Sequence, residues 1–201
     1  MGFFDKLGQL LGGKAATTAA PVASLPSASA TATPQDWQAL CTAVGQALVP
    51  DDAQGLWDEV QQALGQPAQY LDRFAAKLAN RGMNEPAHVT PWLALVEGLQ
   101  WRGQNYELDW KLNMDDAIWA LQQLKTVQQR ALPLQALAGS VALSHDALLE
   151  AGDYLRSQGL SLVSIDIESD CYPLSVLETS AVAPLQALAQ KVGGKLVVLH
   201  N

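Results

Sequence analysis

From Trp37 to Leu99 the apolar residues recur every three or four positions, and from Asn105 the spacing drops to two. This change of period constrains the fold more than any other feature. Three-and-four spacing gathers apolar side chains on one stripe of a helix, whereas strict alternation gathers them on one face of a strand. Thr33-Pro34 supplies a cap followed by a proline, and Trp37, Leu40, Cys41, Val44 and Leu48 then form one stripe. Asp51 or Asp52 opens a second helix carrying Leu56, Val60 and Leu64, and Pro67 a third carrying Leu71, Phe74, Ala75 and Leu78. Thr90-Pro91 repeats the cap-plus-proline signal before Trp92, Leu95, Val96 and Leu99.

The second half alternates between the two periods. Asn105 to Trp110 reads as a half-buried strand, followed by a helix over 117–127 capped by Asn113 or Asp115. A helix over 144–157 closes at Gly159, and a strand over 160–167 turns at Ser169-Asp170 into a strand over 172–177. A helix over 181–192 stops at Gly193-Gly194, and 195–199 is the last strand. This order predicts an α+β domain. Its N-terminal half is helix-rich, and a small, mostly antiparallel four-stranded sheet carries helices packed on one face.

Ahead of that domain the composition shifts. Residues 15–33 are nearly all Ala, Thr, Ser, Pro and Val without a charge, and cannot offset the entropy of ordering. The expected division is an amphipathic N-terminal helix at 1–12, a flexible linker at 13–33, and one folded domain at 34–201. On the first segment Phe3, Phe4, Leu7, Leu10 and Leu11 share a helical stripe. Such a stripe suits weak contact with a membrane surface or a partner, although a helix this short is marginal alone in water. No apolar run approaches the length that spans a bilayer, and the N-terminus lacks a secretory pattern. The expected location is cytoplasmic, with the inner membrane surface as the place for any peripheral contact.

The chain carries a net charge of −8, and its first 34 residues contribute +1, leaving −9 on the domain. A surface that acidic excludes nucleic acid as the main partner and suits a basic protein. Cys41 and Cys171 belong to no C-x-x-C motif and read as free thiols of a reducing compartment. His88, His145 and His200 stand apart, and no hydrolase elbow or phosphate loop is present, so the sequence names no catalytic residue, cofactor or metal. Of the six tryptophans, Trp37, Trp92 and Trp110 fall on predicted inner faces, while Trp101 and Trp119 are candidates for exposure.

The distinctive chemistry is a set of carboxylates. Alternation puts Glu107 and Asp109 opposite Tyr106, Leu108 and Trp110, and puts Asp166 and Glu168 opposite Val163, Ile165 and Ile167. If the two strands are neighbours, four carboxylates share one sheet surface with Asp170 at its rim. An ordinary solvated sheet face has the same pattern. As a site, it would dock a basic partner, or else hold a hard divalent cation through Glu107, Asp109, Asp166 and Asp170.

The segment NYELDWKLNMDDAIWAL (105–121) resembles a family of bacterial domains of unknown function, through Glu107, Leu108, Asp109, Trp110 and Lys111. LSLVSIDIESDCYPLSVL (160–177), with its turn at Glu168, Ser169, Asp170 and Tyr172, extends the resemblance over roughly 90–200. It implies no activity. By fold-level analogy, small acidic domains of this kind are similar to immunity proteins of bacterial competition systems. The leading expectation is therefore a non-catalytic acidic domain that binds a basic protein, as an immunity-type inhibitor would. The rivals are a divalent-cation-dependent enzyme or sensor, and a structural protein held at a membrane surface by residues 2–11.

Overall fold

Thr33 closes a capping box at the start of the first helix, its hydroxyl accepting from the Asp36 N–H (3.2 Å) while the Asp36 carboxylate accepts from the Thr33 N–H (2.9 Å). The computed structural model describes residues 32–201. The cap therefore takes in Thr33, one residue ahead of the expected domain start. Four helices follow: α1 (Pro34–Leu48), α2 (Ala53–Gly65), α3 (Pro67–Leu78) and α4 (Pro91–Trp101). Three of them begin with the prolines that the sequence marked. α4 is buried along most of its length and lies tightly on α2 at Gly98, where a Cβ would come 2.6 Å from Leu56 Cδ1.

The alternating segment forms β1 (Tyr106–Asp109). Next come α5 (Met114–Gln123), with a capping box between Asn113 and Asp116, and α6 (Lys125–Gln129). The sequence reads these two as one helix. The chain breaks at buried Leu124, whose ψ of 125° is extended, and the Lys125 N–H turns to the Gly103 carbonyl (2.8 Å). α7 (Ser144–Ser157), β2 (Leu160–Asp166), β3 (Cys171–Glu178), α8 (Thr179–Lys191) and β4 (Lys195–Val198) complete the domain.

The four strands are all antiparallel in the order β1-β3-β2-β4, with β2 and β3 as the expected hairpin. The α+β class and the helix-rich first half match the sequence reading. The helices, however, cover both faces of the sheet rather than one. Val163, Ile165 and Ile167 pack into a core with α1, α2, α4 and α8, whereas Leu160 and Leu162 pack into a second core with α5 and α7. β2 is thus apolar on both sides, the pattern of a strand enclosed between two layers. Buried Ser175 on β3 stays satisfied, donating to the Gln104 carbonyl (2.8 Å) and accepting from the Asn105 amide (3.1 Å). α7 approaches β4 so closely that a Cβ on Gly152 would lie 1.5 Å from the Leu199 carbonyl oxygen. None of the described helices is long and apolar enough to cross a membrane.

Candidate binding surface at the end of the sheet

The register divides the five expected carboxylates. β1 pairs with β3 and never meets β2: Glu107 lies opposite Pro173 and Asp109 opposite Cys171. Leu108 belongs to the core with α5 and α7, so Glu107 and Asp109 point to the face of α1 and α4. On β2 that same face belongs to Val163 and Ile165, which sends Asp166 to the opposite side. The expected single acidic face is therefore not formed. The sequence reading took the apolar side of each strand to be the same side of the sheet, which fails for a strand buried on both.

Glu107 is not a free surface group. Arg81, from the loop after α3, grips it with both Nη atoms, one at 3.1 Å from Oε1, and bonds Glu97 of α4 through Nε. The Glu97 side chain is only 5% exposed and that of Glu107 17%. Burial pushes the Glu97 carboxyl above its ordinary range even with Arg81 beside it. A second bridge runs parallel. Arg102 holds Glu59 of α2 through two 3.0 Å bonds and Asp52 through Nε at 2.8 Å. Buried Tyr70 lies near both networks, and its hydroxyl, held neutral by burial and by the charges of Glu59 and Glu97, has no hydrogen-bond partner among the described residues. These groups tie α2, α4 and β1 together. A signal that could have revealed the first of them is Glu97, the lone acid in the apolar run of α4; Glu59 follows Asp58 directly and carries no such mark.

Asp166 is also committed. It accepts from Lys195 (3.0 Å) and from the Glu168 N–H (2.8 Å). Burial raises its carboxyl, but these two contacts outweigh that and hold it below the usual value. The four-carboxylate cation arrangement is thus not assembled, because Asp166 is across the sheet from Glu107 and Asp109. Among the described residues no three His, Cys, Asp or Glu side chains gather where a metal could sit. Cys41 is buried, which pushes its thiol up to about 12, and Cys171 is raised by burial and then by Glu107 and Asp109, so neither is a nucleophile at neutral pH.

Asp109, Glu168 and Asp170 do come together at one end of the sheet, where the β2–β3 turn meets the end of β1. The Trp110 N–H donates to the Asp170 carbonyl (3.0 Å), and an Asp109 carboxylate oxygen accepts from the Lys111 N–H (2.8 Å). All three are exposed, and no cation of the described residues lies within ion-pair distance of them. Beside them Trp110 is 47% exposed, contrary to its expected inner position, because β1 ends at Asp109 before the core can cover the ring. The Lys111 ammonium lies 5.0 Å from the Trp110 ring. Trp119, 51% exposed as the sequence suggested, packs edge-on against Tyr106 at 5.1 Å. His145 stacks on Tyr172 at 6.1 Å near the same edge. The apolar set Phe3, Phe4, Leu7, Leu10 and Leu11 lies outside the described residues.

No curated protein and no solved structure matches the chain. A family model does, over residues 36–199, beginning well before the roughly 90–200 of the expected resemblance and so taking in α1, α2 and α3. The chain therefore belongs to the DUF6630 family, a domain of unknown function.

Proposed function

We propose that this domain is a non-catalytic docking module that recognises a basic protein surface with the end of its sheet. One observation carries the reading: exposed Trp110 stands beside Asp109, Glu168 and Asp170, three carboxylates that no cation of the described residues pairs. A large flat ring supplies contact area at low entropic cost, and unopposed carboxylates select Lys and Arg. The −9 charge of the domain extends that attraction beyond contact distance and speeds encounter. Within this reading, an immunity-type inhibitor that covers the basic substrate groove of an enzyme is the specific role that suits the chemistry.

Capture from native lysate by immobilised full-length protein tests it. A partner held at low salt should be lost on Asp109→Asn with Asp170→Asn, and on Trp110→Ala, with melting temperatures unchanged. Retention of every captured protein by both variants would refute the surface. A calorimetric titration with Mg²⁺, Ca²⁺ and Mn²⁺ addresses the cation-dependent rival, which requires binding tighter than millimolar.

A further inference from the structure

We infer that β1 is an acceptor edge: an extended basic segment of the partner adds to it as a fifth strand. The inference rests on the docking reading and specifies its mode. The order β1-β3-β2-β4 leaves two edges. On β4, the Leu196 carbonyl accepts from the Gln186 side chain (3.0 Å), so α8 guards that edge. Among the described residues no side-chain hydrogen bond guards β1 in this way. The Trp110 N–H bonds the Asp170 carbonyl, which fixes the alternation of the ladder. Tyr106, Leu108 and Trp110 turn their backbone groups inward to β3, and Glu107 and Asp109 turn theirs outward. Pro173 agrees with this parity: it faces Glu107, in a pair that exchanges no bonds and needs no N–H. Outside the strand ladder, no hydrogen bond among the described residues uses the N–H or C=O of Glu107 or Asp109.

The side chains flanking this edge specify the occupant. An added strand would direct alternate residues to the face carrying Asp109 and the others to the face carrying Tyr106 and Trp119. On its first set the strand meets Asp109, which no cation of the described residues pairs, beside Glu107, already held by Arg81; on its second it meets an aromatic pair. The complementary segment alternates Lys or Arg with apolar residues. The same acids repel β1 of a second copy of this −9 domain, so the open edge selects against self-pairing and for a cationic strand.

Hydrogen exchange on the full chain reads the edge directly, with the peptide Lys-Val-Lys-Val-Lys-Val, blocked at both ends, as probe. In the free protein the Glu107 and Asp109 amides should exchange much faster than that of Leu108. Saturating peptide at low salt should slow both at least tenfold. Asp109→Pro, which removes an outward N–H together with the carboxylate, should weaken the peptide at least tenfold, beyond the loss from removing the charge alone. Asp109→Asn should weaken it a few-fold and flatten its salt dependence. If Asp109→Pro fails to fold, the peptide N-methylated at alternate lysines replaces it and should likewise lose tenfold. Peptide binding that leaves the two amides unprotected, or that tolerates both the proline and the N-methyl groups, overturns strand addition and leaves the docking surface standing. Binding indifferent to Asp109→Asn with Asp170→Asn overturns the docking surface itself.

Discussion

Replacing Arg81 with Met should expose how much the domain depends on its buried charges. Arg81 stands between Glu97, almost wholly buried, and Glu107, whose side chain is 17% exposed. Methionine keeps the length and apolar stem but leaves two carboxylates facing each other without a cation. Removing one member of a buried ionic group typically costs about 3–5 kcal/mol. Arg81 is itself 21% exposed, so water can enter its place, and the lower end of that range applies, about 3 kcal/mol. For a domain of this size that corresponds to a melting temperature lower by roughly 6–12 °C. The pH dependence separates this cause from lost packing. Glu97 already has a raised carboxyl pKa, and removing Arg81 raises it further. A carboxyl raised by folding contributes stability below its unfolded pKa of about 4.5 and loses it as pH climbs through the folded value. The penalty in Arg81→Met should therefore be largest at pH 7 and shrink toward pH 5. Adding Glu97→Gln should recover at least about 1 kcal/mol at pH 7. Urea unfolding followed by tryptophan fluorescence at both pH values measures all of this. A cost below about 1 kcal/mol at pH 7, or one equal at the two pH values, would refute the reasoning.

Asp166→Asn should cost only about 0.5–1 kcal/mol at pH 7, since Lys195 is largely exposed; that cost fades in acid as the lowered carboxyl of the wild type protonates, which urea titrations from pH 7 to 3 would follow. Asp109→Asn should leave stability within about 0.5 kcal/mol, because its carboxylate is exposed and no longer shares a face with Asp166. Gly152→Ala should destabilise by roughly 3 kcal/mol, since the clash is with the backbone of Leu199 and no rotamer relieves it. Gly65→Ala, with open space around it, should stabilise by about 0.5 kcal/mol; calorimetric melting of the two glycine variants checks both signs. Deleting residues 1–31 should leave the melting transition in place, whereas deleting 1–33 removes the Thr33 cap and should cost about 1 kcal/mol. Vesicle co-sedimentation of the same truncations should show weak binding to anionic lipid confined to the full chain.

The legible parts of the fold are those written in local chemistry. Thr33-Pro34 and Thr90-Pro91 announced two helix starts because capping and the fixed φ of proline act within four residues. The β2–β3 hairpin was legible because its turn and its apolar runs are adjacent in sequence. What failed needed information across the chain. Nothing within 105–110 or 160–168 states that β3 lies between these strands or that their apolar sides face different cores. One wrong assumption of parity moved Asp166 across the sheet, and Trp110 looked buried because the sequence did not show that β1 stops at Asp109. The docking residues survive it because Asp109, Glu168 and Asp170 are brought together by the hairpin turn and the end of β1, not by a shared face.

The distribution of cations explains why those three are left unopposed. Arg81 and Arg102 each bridge two carboxylates, and each bridge includes an acid that would be costly to bury alone. On α3, Arg73 lies over the Phe74 ring, and Lys77 lies over that ring and over Trp101 of α4. Lys195 is on Asp166 and Arg130 on Glu178. Lys111, the basic residue next in sequence to Trp110, turns over the indole instead of reaching a carboxylate. The domain thus uses these cations in part-buried bridges, on aromatic rings and in two exposed ion pairs elsewhere on its surface. The acidity at the end of the sheet follows from where those cations went, and among the described residues none is left to oppose it. Supplying one by mutation is then a sharp control. Ser169→Lys, in the turn between Glu168 and Asp170, should change stability by no more than about 1 kcal/mol, because the position is exposed and gives up only the long 3.3 Å bond its hydroxyl accepts from the Cys171 N–H. It should nonetheless weaken the basic peptide as much as neutralising one of those acids does, with a flatter salt dependence measured by fluorescence anisotropy. Unchanged affinity would mean that the three carboxylates attract nothing, and that the exposed tryptophan alone accounts for any binding at this edge.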